Sequence, residues 1–382
     1  MRAAGLGVAD AEEEWDGNDG KMKIGKLDNA LLRKIVIDKI GYRRSEVITG
    51  PGIGEDCAVI DFGAYECILS TDPITAAGDR IGSLAVHVSC NDIASNGVEP
   101  LGVMLTVLLP PDTTEQEIET IMAQAAETAK QLGVEIIGGH TEITDAVTKP
   151  IVSSTAVGRG VAKSGFAESD AISGAGGGGR AQSGTRIRPG DRILVTKKLA
   201  MEGTGIIASD HAETLAGVLT AEELRHAVSM LDRISVVKEG VLAGSIGTTG
   251  MHDVTEGGVL GAVWELCRLA DAGAEIWREA IPLDPVTVKI CGHFGLDPLR
   301  LISSGSMLIV AHPKEGGDIL QALRAAGTEV TEIGLVKERE EGLRLVSGAI
   351  RLPIEAPQSD EIYKMIGAYP ANPVPGDGEP RG

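Results

Sequence analysis

The sequence predicts a mixed α/β (α+β) protein of two domains, and three observations predict it. Its 382 residues suit two cores of ordinary size. Short apolar runs such as CAVIDF and SMLIVAH alternate with longer stretches of helical periodicity. A glycine-rich tract containing GAGGGGR separates the two halves. The expected division is an extension over 1–24, a first domain over 25–161 and a loop or linker over 162–187. A second domain over 188–355 and a tail over 356–382 complete it.

The elements follow in order. Leu27, Leu31, Ile35 and Ile40 recur at roughly helical spacing, which predicts an amphipathic helix over Lys26 to Ile40. CAVIDF and ECILS read as strands joined by a turn at Gly63, Ala64 and Tyr65. A helix over about Ile81 to Asn96 precedes the strand GVMLTVLLP, which Pro110 and Pro111 stop. Thr114 is placed to cap a helix over Glu115 to Gln131, Glu117 completing a capping box and Gly133 ending it. VEIIGGH is expected as a short strand running into a glycine turn, and PIVSSTAVGR as another strand. In the second half RPGDRILVTK, SMLIVAH and TEIGLV read as strands. Helices are expected near 203–212, 221–244, after Asp253 and over 317–325.

Composition excludes several classes. There are 55 acidic and 35 basic residues, a net charge of -20, and no long Lys/Arg run, so no surface for nucleic acid is expected. Aromatic residues make up only 3%, too few for base-stacking platforms. The five cysteines form no CxxC pair and no zinc spacing, and read as reduced thiols. No apolar run is long enough for a membrane span and no secretory leader precedes the first one, so a cytoplasmic protein is expected.

The acidic residues are most informative where they adjoin glycines and strands. In GPGIGEDCAVID and LSTDP, Asp56 and Asp72 are either ordinary turn aspartates or groups that bind something positive. Asp92 lies in SLAVHVSCNDIASNGVEP, a helix with little free surface. A carboxylate there needs a counter-charge, a metal, or backbone amides. His140 follows Gly138 and Gly139, where the backbone can approach a ligand closely, and a ligand-positioning role is preferred for it. In MHDVTEGGVLGAVWEL, Asp253 and Glu256 are either helix-start acids or part of a phosphate site, with Thr255 a possible cap. No nucleophile elbow, zinc helix, dinucleotide fingerprint or P-loop is present. The residues alone support multi-carboxylate metal chemistry with phosphate.

In order, GEDCAV, LSTDP, CNDIASNGVEPLG, GGHTE and MHDVTEGG resemble the aminoimidazole ribonucleotide (AIR) synthetase-like superfamily, from about Leu27 to Leu352. The superfamily includes thiamine-monophosphate kinase, selenophosphate synthetase and the HypE-type hydrogenase maturation proteins. The resemblance implies ATP and Mg2+ as cofactors, with Asp56, Asp72, Asp92 and Asp253 at the metal. It implies Gly54, Asn91, Gly97, Gly138, Gly139, His140 and Thr141 at the nucleotide, with Asp56, Asp92 and His140 in the catalytic roles. It also implies a homodimer joined through the N-terminal sheets into a barrel-like interface. RLISSGSMLIVAHP and CGHFGLDPL are most similar to the HypE branch, whose members end in a cysteine that receives a carbamoyl group; this sequence ends GDGEPRG.

The expected activity is thus phosphorylation of an amide or carboxamide-type oxygen on a small-molecule or protein-bound acceptor, with a possible maturation partner protein. The alternatives are a kinase of the thiamine-monophosphate type and a non-catalytic ATP-binding assembly protein.

Overall fold

The computed structural model describes residues 25–27, 29–75, 80–161, 186–357 and 359–368. The extension over 1–24, most of the glycine-rich linker and the end of the tail lie outside these residues.

The first half contains β1 (Val47–Thr49), β2 (Ala58–Asp61), β3 (Tyr65–Ile74), β4 (Pro100–Leu109), β5 (Glu135–Ile143) and β6 (Ile151–Val161). They form one sheet in the order β1-β2-β3-β6-β4-β5. Only β4 and β5 are parallel, because the helix α3 described next carries the chain back between them. The helices of this half are α1 (Asn29–Ile35), α2 (Ile81–Ser95) and α3 (Glu115–Leu132). Thr114 and Glu117 form the expected capping box, and Gly133 closes α3 in the left-handed conformation.

The second half begins with β7 (Arg192–Thr196), α4 (Met201–Asp210), α5 (Ala212–Leu215), α6 (Ala221–Ser229) and α7 (Val237–Ile246). β8 (Gly250–Val254), α8 (Gly258–Leu269), β9 (Gly273–Trp277), α9 (Pro285–Phe294), β10 (Ser306–Ala311) and α10 (Pro313–Ala325) follow. β11 (Val330–Lys337), β12 (Leu343–Ser347), β13 (Ile350–Pro353) and α11 (Ile362–Ala368) complete it. The sheet order is β13-β12-β9-β11-β7-β10-β8, which leaves β8 at an edge.

One hydrophobic core joins the halves. Val86, Cys90 and Ile93 of α2 share it with Val236, Ala243 and Met307 of the second half. Thirteen of the fifteen residues of α2 are buried, so this helix is the axle between the two sheets. Each fully buried Ile or Val on it contributes about 1.5–3 kcal/mol relative to exposure. No described helix is long and apolar enough to cross a membrane.

Four local expectations are corrected. The helix over 26–40 is only α1 and one 3-10 turn, and none of their residues is buried. Its apolar stripe finds no core to enter, so helical spacing alone did not extend it. β5 runs straight through Gly138 and Gly139 without turning. A Cβ on Gly139 would lie 1.9 Å from the Leu105 carbonyl oxygen, so glycine is required there by contact between strands. The stretch 221–244 breaks into α6, a 3-10 turn and α7, because the backbone over 233–236 is bonded to side chains from elsewhere. Residues 359–368, within the segment read as a tail, fold back and form α11, with Asp360 buried.

Candidate functional site

Carboxylates from both halves converge where α2 meets β8. Asp56 stands in the loop that enters β2, just after Gly54, whose φ of +79° turns the chain. Asp72 lies inside β3, which continues through Pro73 to Ile74 rather than ending at the apolar run. Pro73 is tolerated because β2 pairs only with Glu66 to Leu69, leaving that end of β3 without a β2 partner. Asp92 projects from the buried helix α2, and His252 and Asp253 lie on the edge strand β8.

Ligand atoms of Asp56, His252 and Asp253 all fall within 4.8 Å of one another. His252 is held at both nitrogens. Nδ1 lies 2.7 Å from the Asp253 carbonyl oxygen and 3.4 Å from Asp56 Oδ2, and Nε2 lies 3.0 Å from Glu265 Oε2 on α8. With acceptors at both positions, the ring donates from both, which is the arrangement of an imidazolium. Burial opposes that charge, but Asp56, Asp253 and Glu265 outweigh it and push the His252 pKa well up. In this arrangement His252 serves as a counter-charge to the surrounding acids. Burial would also raise Glu265, yet its bond to His252 holds it below the usual carboxylate range.

The remaining acids are poorly compensated. Asp253 is 1% exposed, and neither of its side-chain oxygens has a hydrogen-bond partner. Asp92, also buried, accepts a hydrogen bond from Ser70 Oγ. Its pKa is driven well up by burial and then by Asp253, Asp56 and Asp72. Asp56 is raised to about 6, by burial first, with His252 working against the shift. Leaving a buried carboxylate without a hydrogen bond is costly, and these acids could hold a cation. The donors are all hard oxygens, the set that suits magnesium.

Residues 54–160 match the N-terminal domain of the AIR synthase related protein family, and residues 188–346 match its C-terminal domain. The chain belongs to this family. A carbamoyl dehydratase HypE from Bradyrhizobium diazoefficiens is 28% identical over 288 residues, 74% of this chain and 77% of that protein. Its namesake from Rhodobacter capsulatus is 29% identical over 304 residues, 79% and 82% of the two chains. Among solved structures, hydrogenase maturation protein HypE in complex with ATP aligns with a TM-score of 0.61 at 20% identity, covering 91% of this chain and 98% of that one. A HypE–HypF complex gives 0.63 at 19%, with 86% and 100% covered. A ThiL complexed with AMPPCP and TMP gives 0.61 at 18%, with 78% and 88% covered. These structures show that the fold is the family's.

Within this AIR synthase-like fold the predicted site residues separate into three groups. Asp56, Asp72, Asp92 and Asp253 come together, as just described. Asp253 does not stand at a helix start: it is a strand residue, five positions before α8. Nor does Thr255 cap that helix; the Gly257 N–H donates to Asp360 Oδ2 at 2.7 Å instead.

Asn91 and Gly97 serve the junction between the halves. The Asn91 amide donates to Ile234 O at 3.0 Å and accepts from Val236 N at 2.9 Å, so it faces no cleft. Gly97 allows contact with Gly244 of α7, where a Cβ would come within 2.4–3.0 Å of the opposing backbone.

Gly138, Gly139, His140 and Thr141 lie on β5, the edge strand far across the sheet from β2. His140 is exposed and, among the described residues, lies 3.2 Å from Glu142, on a strand whose residues are exposed except for Ile136, which packs against the core. Sequence reading missed His252 as a counter-ion, along with Glu265. The signal was slight: an acid thirteen residues after a histidine shows nothing until β8 and α8 pack.

Proposed function

We propose that the chain is an ATP- and magnesium-dependent enzyme of HypE type that activates a carboxamide-type oxygen by phosphorylation. The observation that carries this reading is Asp253, a buried carboxylate with no hydrogen bond to either oxygen, set in an acidic cluster. The relatives named carbamoyl dehydratase and the HypE solved with ATP support it.

Asp56, Asp92 and Asp253, with Asp72 beside them, would hold magnesium, which when bound neutralises the triphosphate and stabilises charge on its terminal phosphate. His252 fixes Asp56 and Asp253 from behind, and Glu265 keeps that ring charged and oriented. Transfer of the phosphoryl group to the carboxamide oxygen releases ADP and makes that oxygen a good leaving group. Departure of phosphate with the amide hydrogens then completes a net dehydration to the nitrile. Asp56 and Asp92 are the residues assigned to metal-assisted catalysis.

The open face of the first sheet supports a homodimer. Leu101, Met104, Ile137 and Ile143 are each 47–52% exposed there. A second copy on that face would also place His140 and Thr141 of one protomer against its partner, their remaining route to a nucleotide. Ile137→Asp should then yield monomers in sedimentation, and an unchanged mass in both proteins would remove the proposal. The HypE–HypF complex supports a maturation partner protein as well.

The functional test is calorimetric titration of ATP with and without magnesium, beside Asp56→Asn and Asp92→Asn. Metal-dependent binding by wild type that disappears in the folded variants is the expected result. Equal binding by all three would refute the site assignment.

A further inference from the structure

The acids of the first half are spaced by bonds within that half. The Cys57 thiol, next to Asp56, donates to the Asp92 carbonyl oxygen at 3.3 Å, and Ser70 Oγ donates to the Asp92 carboxylate. Asp253 comes from the second half, on β8. Its ligand atom lies within 4.8 Å of that of Asp56 only because the two halves meet at one register. Like charges at that separation repel, so the metal-free cluster works against its own assembly. His252 spans the halves there, but at 3.4 Å from Asp56 it is beyond an ordinary N–H···O bond. The apolar core around α2 presses the halves together, yet hydrophobic burial is non-directional and fixes no register.

Asn91, the residue before Asp92 on α2, supplies direction. Its amide donates to Ile234 O at 3.0 Å and accepts from Val236 N at 2.9 Å, so it grips one loop of the second half at two points. From that loop, bonds lead back to Asp253. Lys197 Nζ donates to the carbonyls of Arg233 and Ser235. Lys197 follows β7 at φ +53°, a left-handed conformation that its side-chain bonds hold in place. The residue before it, Thr196, accepts through Oγ1 from Met307 N at 2.9 Å, and Met307 stands opposite Asp253 in the β10–β8 ladder. Asn91, Thr196 and Met307 are all fully buried. A continuous series of bonds thus joins Asp92 to Asp253 without passing through the cluster.

We propose that Asn91 is a positioning residue for the cation site, setting through this series the register at which Asp56 and Asp92 meet Asp253. It touches neither the cation nor the nucleotide. This role rests on the reading that the cluster holds a divalent cation. Its physical basis is geometric, because the amide is neutral and adds no charge to the site. Once the grip is lost, the like-charged acids of the two halves can draw apart in the metal-free protein. An arriving cation must then pull them together again, which lowers its affinity.

The experiment uses the full chain stripped of metal. Mn2+ is titrated into wild type, Asn91→Ala, Thr196→Val and the double variant, with the free ion followed by its paramagnetic resonance and a thermal melt of each protein. Thr204→Val is the control, since Thr204 shares a buried hydroxyl pair with Thr287 at 2.8 Å, outside the series. None of these substitutions changes charge. Asn91→Ala should bind Mn2+ weaker by about tenfold or more, and Thr196→Val several-fold weaker. The double variant should be little worse than Asn91→Ala, because both changes break one series. Thr204→Val should melt earlier and keep the wild-type affinity. Wild-type affinity in folded Asn91→Ala, or an equal loss in Thr204→Val, overturns the positioning role and leaves the cation site standing. Fully additive losses in the double variant overturn the series. If Asn91→Ala does not fold, the nearly isosteric Thr196→Val decides, and wild-type affinity there overturns the role. No Mn2+ binding by wild type overturns the cation reading, and the role of Asn91 with it.

Discussion

Two buried polar clusters lie beside α2, where the halves of this molecule meet, and they are built on opposite rules. At one, Lys197 Nζ pairs with Glu239 Oε1 at 2.8 Å and donates to the carbonyls of Arg233 and Ser235. Its three donor directions meet three acceptors, and nearby Asn91 closes the same loop through Ile234 and Val236. At the other, Asp56 and Asp253 gather around His252 with Asp92 and Asp72 close by, and neither Asp253 oxygen has a hydrogen bond. The satisfied cluster holds the loop over 233–236 within the second half, and Asn91 of α2 ties the first half to that loop. The unsatisfied one leaves negative charge for a ligand to complete, so polar satisfaction distinguishes structural from functional chemistry at one interface.

The comparison is broken most directly at its satisfied side. Lys197→Met leaves Glu239 buried without its partner and should cost about 3–5 kcal/mol in denaturant unfolding. A loss below about 1 kcal/mol would mean that this pair does not hold the loop that Asn91 grips. At the other cluster Asp253→Asn should act in the reverse sense. Removing a buried charge that Asp92 and Asp56 crowd should raise the metal-free protein's stability by about 1–2 kcal/mol while abolishing magnesium-dependent ATP binding. A destabilised Asp253→Asn protein would place that carboxylate with the structural cluster.

The smallest effect sharpens the contrast through pH. Glu202 is buried, accepts from Ser304 N at 3.2 Å, and is raised by burial to about 7 from a usual value of 4.5. A raised folded pKa means that the native state holds the proton more tightly. Stability from this group is thus present below pH 4.5 and lost as pH rises through about 7, by at most about 3 kcal/mol. Glu202→Gln keeps an acceptor for Ser304 and should flatten that decline, raising the melting temperature at pH 8 and leaving it unchanged at pH 5. Equal gains at both pH values would show that the charge of Glu202 is not the cause.

Much of the architecture was legible before any packing was known. The Thr114 and Glu117 capping box, the stop at Gly133, the long helix through Asp92 and the strands around CAVIDF and SMLIVAH depend on residues a few positions apart. The ordered motifs also identified the family and four acids that do converge. His140 was misplaced within the single chain because a histidine after two glycines looks the same beside a ligand as on an open edge strand.

The sequence by itself determined the mixed α/β class, most element positions, the family and the carboxylates available for chemistry. Only the tertiary structure decided which of those charges are compensated. It gave Asn91 to the junction, made His252 a cation between Asp56 and Glu265, and left Asp253 without a hydrogen bond. The reason is range. Helices, strands and caps are set by interactions within a few residues, whereas the state of a buried charge depends on groups that may lie two hundred positions away and meet only when both halves close on α2.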